Sequence, residues 1–265
     1  MLTHEQVADM NPQMLRSEIA AGNYQGTTEG LAPGYMQANL VILPEKLAFE
    51  FLLFCQRNPG ACPVLEVCEP GHFETRAVAE ADIRTDFPRY RIYQRGVCID
   101  EPTDITEYCR DDLVTFLLGC SFSMEEALLR AGLPLRHRAA GRSVPIYRTN
   151  IDCSPAGLFR GHMVVTMRPF PGHLVSLAVQ VMSRFPQAHG APVHVGEPQE
   201  IGIVDLDEVM FGEPPVTEPG DVFLFTPCGV TPQLAAMHSE PELMISHYPA
   251  HMLVCDVKSQ DLTAS

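Results

Sequence analysis

Tryptophan is absent from this 265-residue chain, and so is any Cys-x-x-Cys pair. The second absence removes the signature of zinc knuckles and thioredoxin-type redox sites, although the chain carries nine cysteines. They are scattered from Cys55, Cys62, Cys68, Cys98 and Cys109 to Cys120, Cys153, Cys228 and Cys255, and read as reduced thiols, at least seven of them small core residues. Basic residues are scarce: 18 Lys+Arg stand against 33 Asp+Glu, a net charge of −15. Phosphate binding needs a basic footprint, so no nucleic-acid partner is expected. No apolar run approaches the roughly 20 residues of a membrane span, so no membrane partner is expected either. The opening MLTHEQVADMNPQML has no basic region followed by an apolar stretch, and none of the arginines of a transit peptide, which makes a cytoplasmic location the expectation. Charge density is low at 19%, and the apolar share of 46% excludes a disordered chain.

What is present is a chain long enough for a sizeable core, rich in proline (23 residues) and free of internal repeats. Its first third reads as helical. Thr3 and Gln6 suit a capping box, and Asn11-Pro12 starts a second helix that Gly22 ends. Leu47, Ala48, Phe51, Leu52 and Cys55 recur at helical spacing over 44–57. Further helices are expected over 111–119, over 124–131, where Ser123 and Glu126 would form a capping box, and over 174–185. Strands are expected mainly in the second half, at 163–167, 193–195, 201–204, 221–225 and 252–255. The class is therefore mixed α/β, with helices packed on short mixed sheets. One domain over 1–265 is expected, made of two closely joined lobes without a linker.

Polar residues cluster where loops should be. Asp82-Ile-Arg84-Thr-Asp86, followed by Pro88-Arg-Tyr90, packs two acids and two arginines together, and its plain reading is a solvated, self-neutralising turn. Tyr147-Arg148-Thr149-Asn150 sets a guanidinium, a hydroxyl and an amide side by side, suited to a small carboxylate, or else forms a polar strand end. Cys120-Ser121-Phe122-Ser123 precedes a helix start, where N–H groups and hydroxyls can meet an oxyanion; a simple cap explains Ser123 but not Ser121. Cys228-Gly-Val-Thr-Pro-Gln233 follows a strand, which is where α/β proteins place reactive groups, although a free cysteine is commonly inert. The pairs His189/His194 and His247/His251 are interrupted by prolines and lack metalloprotease spacing. No metal and no cofactor are expected, and His194, between two valines, is the preferred acid/base.

Taken together, GYMQANLVILP (34–44), FLLFCQRNPGACPVLEV (51–67), ADIRTDFPRYRIY (81–93), DLVTFLLGCSFSMEEAL (112–128), VPIYRTNIDC (144–153), RFPQAHGAPVHVG (184–196) and CGVTPQ (228–233) occur in the order of one family. From about residue 14 to 256 the chain resembles the hydro-lyases of the D-glutamate cyclase family. Two departures stand out. Thr226-Pro227 replaces the usual Trp-Ala before CGVTPQ, and Pro249-Ala-His-Met252 replaces Pro-Gly-His-Met. The resemblance implies a two-subdomain α/β fold and dehydration of a small amino or carboxylic acid, most specifically closure of D-glutamate to 5-oxo-D-proline. Under it, Arg148 or Arg84 would hold the α-carboxylate, with Thr149, Asn150 and Gln233 also contacting substrate. Cys120, Ser121 and Ser123 would meet the oxyanion, His194 or His189 would carry the proton, and Cys228 could form a thioester. A non-catalytic carboxylate binder and a hydro-lyase for another acid are the alternatives. A homodimer is compatible with this class.

Overall fold

The computed structural model describes residues 1–263. Two short helices, α1 (His4–Val7) and α2 (Pro12–Ala20), lead into β1 (Tyr35–Pro44), which runs directly into α3 (Glu45–Arg57). Then come β2 (Val64–Val67), β3 (Glu74–Thr75), β4 (Ala81–Asp82), β5 (Tyr90–Gln94), β6 (Val97–Asp100) and β7 (Leu113–Gly119). A 3-10 turn over Ser121–Met124 precedes α4 (Glu125–Arg130) and α5 (Arg136–Ala139), followed by β8 (Ile146–Asp152), β9 (His162–Pro171), α6 (Val175–Ser183) and β10 (His194–Val195). The last elements are β11 (Asp221–Pro227), α7 (Val230–His238), β12 (Met244–His247) and β13 (Leu253–Lys258). Helices and strands mix as expected for an α/β protein, and the strand pairs are antiparallel.

Seven strands form the larger sheet, in the order β2-β7-β1-β12-β5-β6, with β13 also on β1. β12 and β13 share one edge of β1. β13 takes its first half (Ala38 opposite Leu253) and β12 its second (Val41 opposite Ser246). The segment 248–252 therefore leaves the sheet in mid-edge. Alternation along β1 sends Met36, Ala38, Leu40 and Ile42 into one core with Phe87, Tyr90 and Ile92, and Val41 and Leu43 into another under α3. The smaller sheet has the order β10-β11-β9-β8. One of its faces packs Phe170 and Leu224 against α4 and α6. The other buries Tyr147, Val165, Met167 and Phe225.

Several local expectations hold. The Thr3–Gln6 capping box and the Asn11 cap with Pro12 are present, and Gly22 follows α2 with φ +74°. Others fail for physical reasons. Residues 113–119 form a central strand, β7, buried throughout; strands buried on both faces read as continuous apolar runs, which periodicity does not separate from helix. Strands also begin well before the second half, with β1. Residues 198–201 close a 3-10 turn instead of starting a strand. The expected Ser123–Glu126 box is absent. The Ser123 hydroxyl accepts the Gln37 N–H at 2.9 Å, and Glu126 pairs with Arg130.

Candidate functional site

A cavity of about 260 Å³ lies where both sheets end. From the larger sheet, β7 stops at Gly119, and Cys120 and Ser121 turn into the space. Only glycine fits there, since a Cβ on Gly119 would lie 1.6 Å from the Gln187 carbonyl oxygen. From the smaller sheet, β11 delivers Cys228 and Val230 at the start of α7. Gly229 between them packs on Asn39, whose amide nitrogen a Cβ would approach to 2.2 Å. Segment 248–252 forms a third wall, and Val144, Ile146 and Phe211 a fourth.

The charged groups of the lining are Glu29 and Arg91. Thr28 positions Glu29. Fully buried, it donates its N–H to the Ala250 carbonyl (2.8 Å), and its hydroxyl accepts the Met252 N–H (3.0 Å), tying this loop to segment 248–252. Burial raises the Glu29 carboxyl first and the neighbouring Glu125 charge raises it further; Ser143, Arg168 and the Val144 N–H offset part of this, leaving it at about 7. Arg91 pairs with Glu101 at 3.0 Å and lies over the Tyr248 ring, 4.4 Å from its centroid.

Behind Ser121 lies a buried ionic cluster. Arg168, 1% exposed, donates to Glu125 Oε1 (2.7 Å), Ser121 Oγ (3.2 Å) and Thr166 Oγ1 (3.1 Å). His137 Nε2 also meets Glu125 Oε1, at 3.1 Å. Burial alone would raise the Glu125 carboxyl, but Arg168 and His137 outweigh it and hold it at about 2. Glu125 is thus a fixed anion and Glu29 a titrating one.

His247 occupies the gap in the β1 edge. The Leu40 N–H, with no strand paired to it on that edge, donates to His247 Nδ1 at 3.0 Å, and Gln233 Nε2 stands 2.8 Å from the same nitrogen. Two donors at Nδ1 put the ring proton on Nε2. Burial first, then His251, lower the imidazole to about 3, so it is neutral at pH 7. Burial also lowers His251.

Of the residues singled out from sequence, Cys120, Ser121 and Cys228 meet at the cavity and Gln233 supports it through His247. Both cysteines are thiols at neutral pH, pushed up by burial to about 12 for Cys120 and about 11 for Cys228. The structure places the others elsewhere. Arg84 is held by Asp82 in a bidentate pair at 2.7 Å within its turn. Arg148 lines a separate cavity with His162 and His238. Thr149 donates to the Met163 carbonyl, and Asn150 is exposed. Ser123 is spent on Gln37. His194 Nε2 lies 2.9 Å from the Glu197 carbonyl, outside the cavity. His189, at about 4 through burial, lines a different depression and has its Nδ1 2.9 Å from the Gly60 carbonyl. The four histidines are therefore not assembled together; only His247 and His251 share the site.

Sequence reasoning missed Glu29, Asn39, Arg91 and the Arg168–Glu125–His137 cluster. Arg168 did carry a signal, a lone charge inside the apolar strand MVVTMRPF, which implies a buried partner. Glu29 carried none, because its loop has no periodicity from which burial can be read.

An α/β fold with shifted ionisable groups converging on a small cavity is the arrangement of a small-molecule site. Residues 114–256 match the family described as D-glutamate cyclase. The chain is 56% identical over 255 residues, 96% of each chain, to a "Putative hydro-lyase" of Stutzerimonas stutzeri (strain A1501). It is 52% identical over 95% of its length and 96% of the relative's to one of Bacillus pumilus (strain SAFR-032). The chain belongs to the D-glutamate cyclase family.

Proposed function

We propose that this protein is a hydro-lyase acting on a small amino or carboxylic acid, and most specifically that it closes D-glutamate to 5-oxo-D-proline with release of water. The observation that carries the reading is Glu29, a carboxyl titrating at about 7 in a cavity whose cation is Arg91. Family membership and the names of the relatives agree with it. The cavity volume of about 260 Å³ lies just below the ~300–1,000 Å³ usual for drug-sized ligands, which suits a small acid.

Cyclisation requires the α-ammonium to lose a proton, the freed amine to attack the side-chain carboxyl carbon, Cδ, and one oxygen of that carboxyl to leave as water. As a carboxylate, Glu29 accepts the first proton. Once protonated, it returns that proton to the departing oxygen, and the second nitrogen proton completes the water. A base with pKa near the working pH serves both directions. Arg91 is the group for a substrate carboxylate, and neutral donors around Ser121, Val230 and His247 suit the tetrahedral oxyanion. Because the attack is intramolecular, holding the bent chain supplies several kcal/mol of the acceleration. Cys228 is not needed as a nucleophile in this scheme.

The test is a chiral chromatographic assay in which D-glutamate, L-glutamate and both 5-oxoproline enantiomers are supplied separately. Conversion confined to the D pair is expected. No conversion of any of the four removes this substrate. Thermal stabilisation by one of them without turnover would instead establish a carboxylate binder.

A further inference from the structure

The buried cluster behind Ser121 contains an asymmetry that the reaction scheme leaves unused. His137 Nε2 lies 3.1 Å from Glu125 Oε1 and 3.7 Å from Glu29 Oε1. All three side chains are nearly inaccessible, at 5%, 2% and 11% exposure for His137, Glu125 and Glu29. Glu125 Oε1 is served twice, since Arg168 reaches it at 2.7 Å. Glu29 Oε1 is buried with no hydrogen-bond partner among the described residues. One N–H thus stands between a carboxylate oxygen that has a second donor and a carboxylate oxygen that has none.

We propose that His137 is a positioning residue for Glu29: its Nε2–H is shared between the two carboxylates and moves toward Glu29 as that group ionises. Glu125 tolerates the loss because Arg168 remains on it. The other groups facing Glu29 leave its Oε1 without a partner. Arg138, the next residue along α5, has its Nη1 4.0 Å from Glu125 Oε2. Ser143 and the Val144 N–H approach from the segment before β8. Arg91, His247 and His251 stand around the cavity, and His4 and Arg142 line the outer depression into which Glu29 also faces. Burying a carboxylate is costly, so the shared N–H adds to the Ser143 side chain and the Val144 N–H in making ionisation of Glu29 attainable near neutral pH. The importance of Glu29 rests on the reading given under the proposed function, but the test does not require a substrate.

Protein labelled with carboxyl-¹³C glutamate is titrated by NMR from about pH 4 to about pH 9, with Glu29→Gln identifying the Glu29 resonance. In His137→Phe, which keeps a planar ring and removes the donor, the Glu29 midpoint is expected to rise by about one pH unit. In His137→Gln, which restores an N–H, it returns to within about half a unit of wild type. An unmoved midpoint in His137→Phe, or equal shifts in both variants, overturns the proposal. Should the phenylalanine variant fail to fold, the wild-type protein decides. The ¹⁵N resonance of His137 Nε2 must follow the Glu29 midpoint and lose that step in Glu29→Gln, and a flat resonance overturns the proposal. A negative turnover assay would remove the assigned substrate and leave this coupling standing.

Discussion

Under the proposed function, Glu29 joins chemistry and stability in one side chain. Its carboxyl titrates at about 7 in the fold against an ordinary 4.5, so between those values the folded state binds the extra proton. Stability from this group is therefore full below about pH 4.5 and falls as pH rises through 7. Glu29→Gln should gain stability relative to wild type on going from pH 4.5 to 8, by at most ~3 kcal/mol, measured by urea unfolding at both pH values. With an active substrate the same variant should lose roughly 10²–10⁴-fold in kcat. A variant that keeps wild-type kcat would remove Glu29 from the mechanism.

At the scale of elements, the departure of residues 248–252 between β12 and β13 decides where the site lies. Ala250 in that segment has φ +63°, a region that disfavours any side chain, and the resemblance had marked this position as one where glycine is usual. Ala250→Gly should stabilise the protein by about 0.5–1 kcal/mol, seen as a higher unfolding midpoint with unchanged slope. The gap itself was not legible from sequence. MLVC at 252–255 reads as a strand, but its alignment with β12 on one edge of β1 is a long-range fact. Helices with caps were legible because Thr3, Asn11 and Pro12 act within a few residues of themselves. β7 was misread because burial on both faces erased its alternation. The site followed the same division. Cys120, Ser121 and Cys228, which line the cavity, were legible because they sit at element junctions visible in one stretch of chain. Glu29, Arg91 and Arg168 reach the cavity only through tertiary structure.

Over the whole molecule, the Arg168–Glu125 pair joins the two sheets, since Arg168 rides on β9 and Glu125 on the helix that follows β7. Removing one partner of such a pair leaves the other charged and dry. Arg168→Met should destabilise the protein by roughly 3–5 kcal/mol, and Glu125→Leu added to it should recover much of the loss, in equilibrium urea unfolding. If the single variant costs under ~1 kcal/mol, the pair does not hold the sheets together. The chain's charge of −15 lies elsewhere, on a surface that would repel an anionic substrate, which places more weight on Arg91 for capturing one.

The break in the β1 edge has a consequence for divergence. A five-residue segment that shapes one wall of the cavity hangs between two strands whose ladders are complete without it. Under the proposed function, substitutions there can alter which small acid is accepted while the strand register stays as it is. Specificity and foldability are thereby partly separated, because the ties of this segment to Thr28 run through the backbone groups of Ala250 and Met252, which side-chain substitutions keep.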